Sequence, residues 1–134
     1  MEDNKDKLEN EHKNNKKRKI EFRAKAKNKK CWVVGDLIHC ENGYSIIEKK
    51  GGCIKVKPET IGQFTGLYDK NGKDIYEGDV VEDVFDDCSY TVMFDEKRGG
   101  WYPFACGDGC GCCEAEVTQP KYCKVVGNIY DNGG

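Results

Sequence analysis

Long apolar runs are missing from this chain of 134 residues. None approaches the roughly 18–20 residues that a membrane-spanning helix needs, and the first stretch is hydrophilic where a secretory leader would be apolar. The expectation is a soluble, cytoplasmic protein with no membrane partner. Histidine is scarce as well: only His12 and His39 occur, too few for a histidine-built metal or acid–base centre. His39 stands beside Cys40, but neighbours on a strand point to opposite faces, so they make no nucleophilic pair. There is no Gly-x-Ser-x-Gly elbow, no P-loop and no His-Glu-x-x-His helix. With no convergent set of such residues, the protein is expected not to be an enzyme. A sustained helical period is also lacking, and with it the alternation of strand and helix that marks a parallel sheet.

What is present is unevenly placed. Residues 1–30 contain 12 Lys and Arg against 6 Asp and Glu, a net of +6, and no glycine. Residues 31–134 hold 10 basic and 18 acidic residues, a net of −8, with all 16 glycines and all 9 cysteines. A chain of this length is expected to form one domain around one modest core. Residues 1–18 offer little apolar surface to set against the entropy of ordering them, so a charged, disordered tail is expected there. Its basic run at 16–19 suits nucleic acid or an acidic surface, or more simply keeps the tail solvated. Residues 19–132 then make the folded domain and 133–134 a frayed end. An odd number of cysteines without a leader reads as reduced thiols rather than a disulfide framework.

From Ile20 the apolar Ile20, Phe22 and Ala24 alternate with Glu21, Arg23 and Lys25, the period of a half-buried strand. After a polar turn at Asn28-Lys29-Lys30, residues 31–39 are β-branched and aromatic, with Gly35 marking a bulge or a close backbone approach. Strands at 44–47 and 53–56 follow, joined by Lys49-Lys50-Gly51-Gly52, whose glycines supply the positive φ of a tight turn. Residues 58–65 read as a connector, because Pro58 has no amide to give a ladder. Asp69-Lys70-Asn71-Gly72 is the strongest turn signal in the chain. Residues 79–85 and 88–94 read as a hairpin about Asp86-Asp87, with Tyr90, Val92 and Phe94 sharing a face. Gly99-Gly100 leads into a strand at 101–104, and 122–130 is the last strand. Short strands between turn signals about every 8–12 residues indicate a mainly β protein, its antiparallel strands forming a small barrel or sandwich.

The block Thr60-Ile61-Gly62-Gln63-Phe64-Thr65-Gly66-Leu67-Tyr68-Asp69-Lys70-Asn71-Gly72-Lys73-Asp74-Ile75-Tyr76-Glu77-Gly78-Asp79-Val80-Val81 sets turning glycines among apolar anchors. Architecture accounts for most of that pattern. It would equally serve as a binding loop presenting Gln63, Thr65, Asp69, Lys70 and Lys73 outward. The block closely resembles the signature of the YopX family, small proteins encoded by bacteriophages and by bacterial prophages. Lys19-Ile20-Glu21-Phe22-Arg23-Ala24 resembles that family's opening strand and Val125-Val126-Gly127-Asn128-Ile129-Tyr130-Asp131-Asn132 its closing one, so the resemblance spans about 19–132. The family's opening strand is usually followed by Trp-Asp; this chain has Lys25-Ala26, and Trp32 is the aromatic expected to stand in. The resemblance implies a mostly β fold, a phage or prophage origin within a bacterial host cell, no established biochemical activity, and no catalytic residues to carry over.

The most unusual local feature is Cys106-Gly107-Asp108-Gly109-Cys110-Gly111-Cys112-Cys113. Cys106, Cys110, Cys112 and Cys113 match tetrahedral zinc in number, and the glycines would let a short loop wrap around an ion. The C-x3-C-x-C-C spacing lacks paired C-x2-C knuckles, however, and Cys112 and Cys113 diverge in an extended backbone. Reduced thiols with no cofactor are the simpler expectation, and a zinc-stabilised domain completed by Cys123, Cys88 or His39 is the alternative. Glu82-Asp83 and Asp86-Asp87 lack the spacing of a calcium loop and read as a solvated turn. A body at −8 repels phosphate, which disfavours the other alternative, a nucleic-acid-binding barrel that uses the basic tail together with Lys49, Lys50, Lys55 and Lys57. The leading expectation is a non-enzymatic module that binds a protein partner and forms a homo-oligomer through exposed sheet edges.

Overall fold

The computed structural model describes residues 18–97, 99–104 and 118–131. The expected tail up to residue 17, the cysteine loop at 106–113 and the expected frayed end at 133–134 lie outside them. The described chain is a mainly β structure of antiparallel strands.

Phe22–Lys25 (β1) and Trp32–Cys40 (β2) make an antiparallel hairpin, extended by Gly43–Glu48 (β3) and Cys53–Val56 (β4). Gly51 and Gly52 carry the expected positive φ, 95° and 104°, and the Gly51 amide closes the β3–β4 turn on the Glu48 carbonyl at 2.9 Å. Gly35 marks a close approach of backbones, since a Cβ there would lie 2.0 Å from the Ile47 carbonyl oxygen. The sheet curls until β4 returns to the end of β1. Ala26 bridges Val56, the Lys27 amide donates to the Lys55 carbonyl at 2.8 Å, and the Lys57 amide donates to the Lys25 carbonyl at 2.9 Å. One bridge is not a ladder, so the sheet is curled and open rather than a closed barrel.

Pro58–Thr60 forms a single 3-10 turn, after which Gly62–Tyr68 (β5) runs along the free edge of β1 and Asp74–Tyr76 (β6) along β5. The order is β4-β3-β2-β1-β5-β6. The expected connector at 58–65 is therefore strand from Gly62 onward. Pro58 is spent in the 3-10 turn, where a missing amide costs nothing. Thr60 completes the junction with its side chain: Oγ1 accepts from the Lys25 amide at 2.9 Å and donates to the Lys57 carbonyl at 2.7 Å.

Asp79–Asp83 (β7) and Ser89–Thr91 (β8) form the expected hairpin, Met93–Asp95 (β9) and Gly100–Tyr102 (β10) a separate ribbon, and Cys123–Asn128 (β11) pairs with the outer edge of β7. The expected strand at 88–94 breaks at Val92. Its amide donates to the Asp79 carbonyl and its carbonyl accepts from Gly78, both at 2.8 Å, which pulls Val92 into the interior and leaves Phe94 exposed.

Two apolar clusters replace the single expected core. Ala24, Ala26, Val33, Ile46 and Val56 fill the curled sheet, while Ile75, Val81, Val92, Phe104 and Cys123 gather under β7 and β11. The alternation read in β1 departs accordingly: Ile20 is 63% exposed whereas Glu21 is buried. β1 lies in the middle of the six-stranded sheet, the first unit, with Ala24 facing the first cluster and the opposite face carrying Arg23 toward Asp79 of the second unit, the three-stranded sheet β11-β7-β8.

Candidate functional site

Arg23 is the centre of the junction between the two units. Its guanidinium pairs with the buried Asp79 at 2.5 Å and lies over the rings of Trp32 and Tyr76, 4.7 and 4.8 Å from their centroids. Asp79 also accepts from the Tyr76 amide at 2.8 Å; burial nonetheless pushes its carboxyl above the ordinary value. The Tyr76 hydroxyl donates to Glu21 at 2.6 Å, and Lys19 and Lys49 approach the same carboxylate at 3.5 Å. Burial pushes the Glu21 carboxyl up, but these partners outweigh it and hold it below its usual range. Trp32 stands directly across from Lys25 in the β1–β2 ladder. Its indole donates to Asp131 at 3.1 Å, and Lys25 pairs with that carboxylate at 2.8 Å. Gly78 adopts φ 93° with Tyr130 so close that a Cβ would meet the ring at 2.9 Å. The Tyr-Glu-Gly-Asp part of the sequence block thus encodes a joint, and its polar atoms are committed to the protein itself.

The five residues considered as an outward-facing loop do not form one. Thr65 is buried, its hydroxyl donating to the Ile75 carbonyl at 2.7 Å and accepting from the Leu67 amide at 3.1 Å. Asp69 is buried as well. Its Oδ1 accepts from the Asn71 and Lys73 amides at 2.8 and 2.9 Å, and its Oδ2 accepts from the Val125 amide at 2.9 Å, tying the β5–β6 turn to β11. Burial raises the Asp69 carboxyl, and the three amides outweigh that and hold it below its ordinary value. Gln63 is half-buried on β5, while Lys70 and Lys73 remain exposed on the turn. Polar side chains that serve the backbone look the same in sequence as ones that serve a ligand. Cys106, Cys110, Cys112 and Cys113 fall outside the described residues, and among the described residues no group of His, Cys, Asp and Glu could hold a metal.

Two surfaces carry the features of binding sites. The first is the ribbon of β9 and β10 with the adjoining β7–β8 turn. Met93 faces Tyr102 and Phe94 faces Trp101 across the ribbon, so apolar groups occupy both of its faces. Met93 is 57% exposed, and Phe85 on the turn is 76% exposed. Residues 62–134, which include this surface, hold 6 basic and 14 acidic residues, a net of −8.

The second surface is a cavity of about 520 Å³ between the tips of the β1–β2 and β3–β4 hairpins. Ala26, Val33 and Ile54 are among its apolar lining, and Lys29, Lys50 and Lys55 stand around it. Sequence reasoning read Asn28-Lys29-Lys30 as the turn of the hairpin but missed the cavity, because the charge of Lys27, Lys29 and Lys30 was summed with residues 1–30 and not set beside that of Lys50 and Lys55. Residues 19–61, which carry β1 to β4, hold 10 basic and 5 acidic residues, a net of +5, so the body is bipolar rather than uniformly acidic.

The described residues contain no helix long and apolar enough to cross a membrane. A comparison with curated proteins finds no match. The family described as YopX protein matches residues 3–134, essentially the whole chain. With the opening strand, the turn block and the closing strand joined as one structure, the chain belongs to the YopX family.

Proposed function

We propose that the protein is a non-catalytic accessory module of the phage type that acts by docking a protein partner on the β9–β10 ribbon. Membership of the YopX family supports the accessory role. The observation that carries the docking is the ribbon itself: two short strands that, among the described residues, share a ladder only with each other and expose Met93, Phe94 and Tyr102. A two-stranded ribbon gains little stability alone, and apolar side chains on both faces are the composition of an interface centre. The acidic surroundings select a partner whose docking surface has an apolar middle and a basic rim.

A photo-crosslinking residue at position 93, in the chain produced in its own host cell, tests this. One adduct of discrete mass is expected, lost with Phe94→Asp and not given by the same probe at position 36 on β2. An adduct of twice the chain mass would assign the ribbon to a second copy, the homo-oligomer reading, and no adduct would remove the docking role.

A further inference from the structure

We infer that the cavity between the two hairpin tips is a nucleotide-binding site, holding the base on its apolar floor and the phosphate among Lys29, Lys50 and Lys55. The site is distinct from the ribbon and does not rest on the docking role proposed for it. Its size is the first support: about 520 Å³ falls within the range of about 300–1,000 Å³ typical of small-molecule pockets. The second is its chemistry. The half-buried Ile54, with the buried Ala26 and Val33 beneath it, offers an apolar floor that asks nothing of a base face, and Asn28 supplies an amide beside it.

The third support is charge. Lys29, Lys50 and Lys55 have no carboxylate within ion-pairing distance among the described residues, and neither do the nearby Lys27, Lys30 and Lys57. Glu48 is the one carboxylate on the lining, leaving the cavity at +2. Every cation on the lining is a lysine, a compact point charge that takes a phosphate without demanding the fixed geometry of a guanidinium fork.

Geometry also suits a nucleotide that is part of a strand. Lys55 lines both this cavity and a smaller neighbouring hollow of about 100 Å³ formed with Lys27, Tyr44 and Ser45. A chain of phosphates could follow the lysines from one hollow to the next. A duplex, a stiff rod, could not descend between the hairpin tips. Trp32 is a wall and not a stacking platform, because Arg23 already covers its ring.

The same chemistry is presented by a free mononucleotide and by a nucleotide within single-stranded nucleic acid, and one experiment separates them. The full chain is titrated, at low salt, with a fluorescein-labelled oligothymidylate of ten residues and with thymidine monophosphate. Three phosphate contacts predict a slope of log K against log salt of about −2 for the strand, reduced by about 0.7 for each lysine removed. Lys29→Ala, Lys50→Ala and Lys55→Ala are therefore expected to lower the slope stepwise, and Lys16→Ala/Lys17→Ala in the tail to leave it unchanged. These lysines are solvent-facing, and an unchanged melting temperature certifies each variant as folded. Saturable binding of the monophosphate, lost in the same variants, would assign the site to a free nucleotide; binding of the oligomer alone would assign it to a strand. No binding at low salt, loss only in the tail variant, or equal competition by polyglutamate would overturn the inference.

Discussion

Removing the Asp79 carboxylate tests whether the joint around Arg23 holds the two units together. Asp79→Ala would leave the Arg23 guanidinium, whose side chain is only 14% exposed, without its counter-ion, and the Tyr76 amide without its acceptor. Breaking a buried pair from one side costs about 3–5 kcal/mol, and an orphaned buried amide adds about 1–3 kcal/mol. Stacking on Trp32 and Tyr76 is present before and after the substitution and offsets none of this, so the loss is about 4–8 kcal/mol. A domain of ordinary stability has about 5–15 kcal/mol in all, so the variant should lose a large part of it, with a melting temperature lower by roughly 15–30 °C. Urea denaturation followed by tryptophan fluorescence measures the loss directly. The decisive comparison is the double variant Arg23→Met/Asp79→Leu. Replacing both charges with apolar groups removes the stranded ion, and the pair is expected to be less destabilised than Asp79→Ala alone. Additive losses, to within about 0.5 kcal/mol, would refute the joint as a coupled unit.

Gly35→Ala should be among the most damaging single changes, because its Cβ would meet the backbone oxygen of Ile47 at 2.0 Å, which no rotamer can relieve. Gly43→Ala, with φ 124° and open space around it, is expected to cost only about 1–3 kcal/mol of backbone strain, and thermal melts of the two would separate crowding from strain. Asp131 is held down to about 2, first by Lys25 and then by Asn128 and Trp32. A depressed carboxyl contributes stability above its unfolded value of about 3.9 and loses it as the pH falls toward about 2. Acidification through that window should release the Trp32 indole, seen as a fluorescence change that Asp131→Asn abolishes. Native mass spectrometry under reducing, chelator-free conditions is expected to show the apo mass; an added zinc per chain would make Cys106, Cys110, Cys112 and Cys113 a metal centre.

The turns were legible in the sequence because a turn is decided by a few adjacent residues. Gly51-Gly52 and Asp69-Lys70-Asn71-Gly72 sit where their local conformational preferences place them. What was not legible depends on partners far along the chain. The return of β4 to β1 is set by Ala26 and Val56, and nothing in either residue names the other. Thr65 and Asp69 read as surface residues because their polarity is visible, while the amides that consume it belong to Leu67, Lys73 and Val125. The cationic cavity was hidden by a boundary: Lys27, Lys29 and Lys30 were summed with the charge of the first 30 residues, while Lys50 and Lys55, which the fold brings beside them, were summed with the acidic remainder. Fold class, by contrast, rested on spacing alone and was readable.

The clasp between Trp32 and Asp131 sets an order of events in synthesis. The two residues are 99 positions apart, and Lys25 bonds the Tyr130 carbonyl across 105. At about 5–20 residues per second, roughly 5–20 s separate the making of the first partner from that of the last. Through that interval β1 can pair with β2, and later with β5, but Trp32 and Lys25 have no carboxylate to receive them. The first unit is thus born before its closing residues exist. A chain stalled or cut before residue 131 would keep its β1–β2 ladder but lack the carboxylate that Trp32 and Lys25 share.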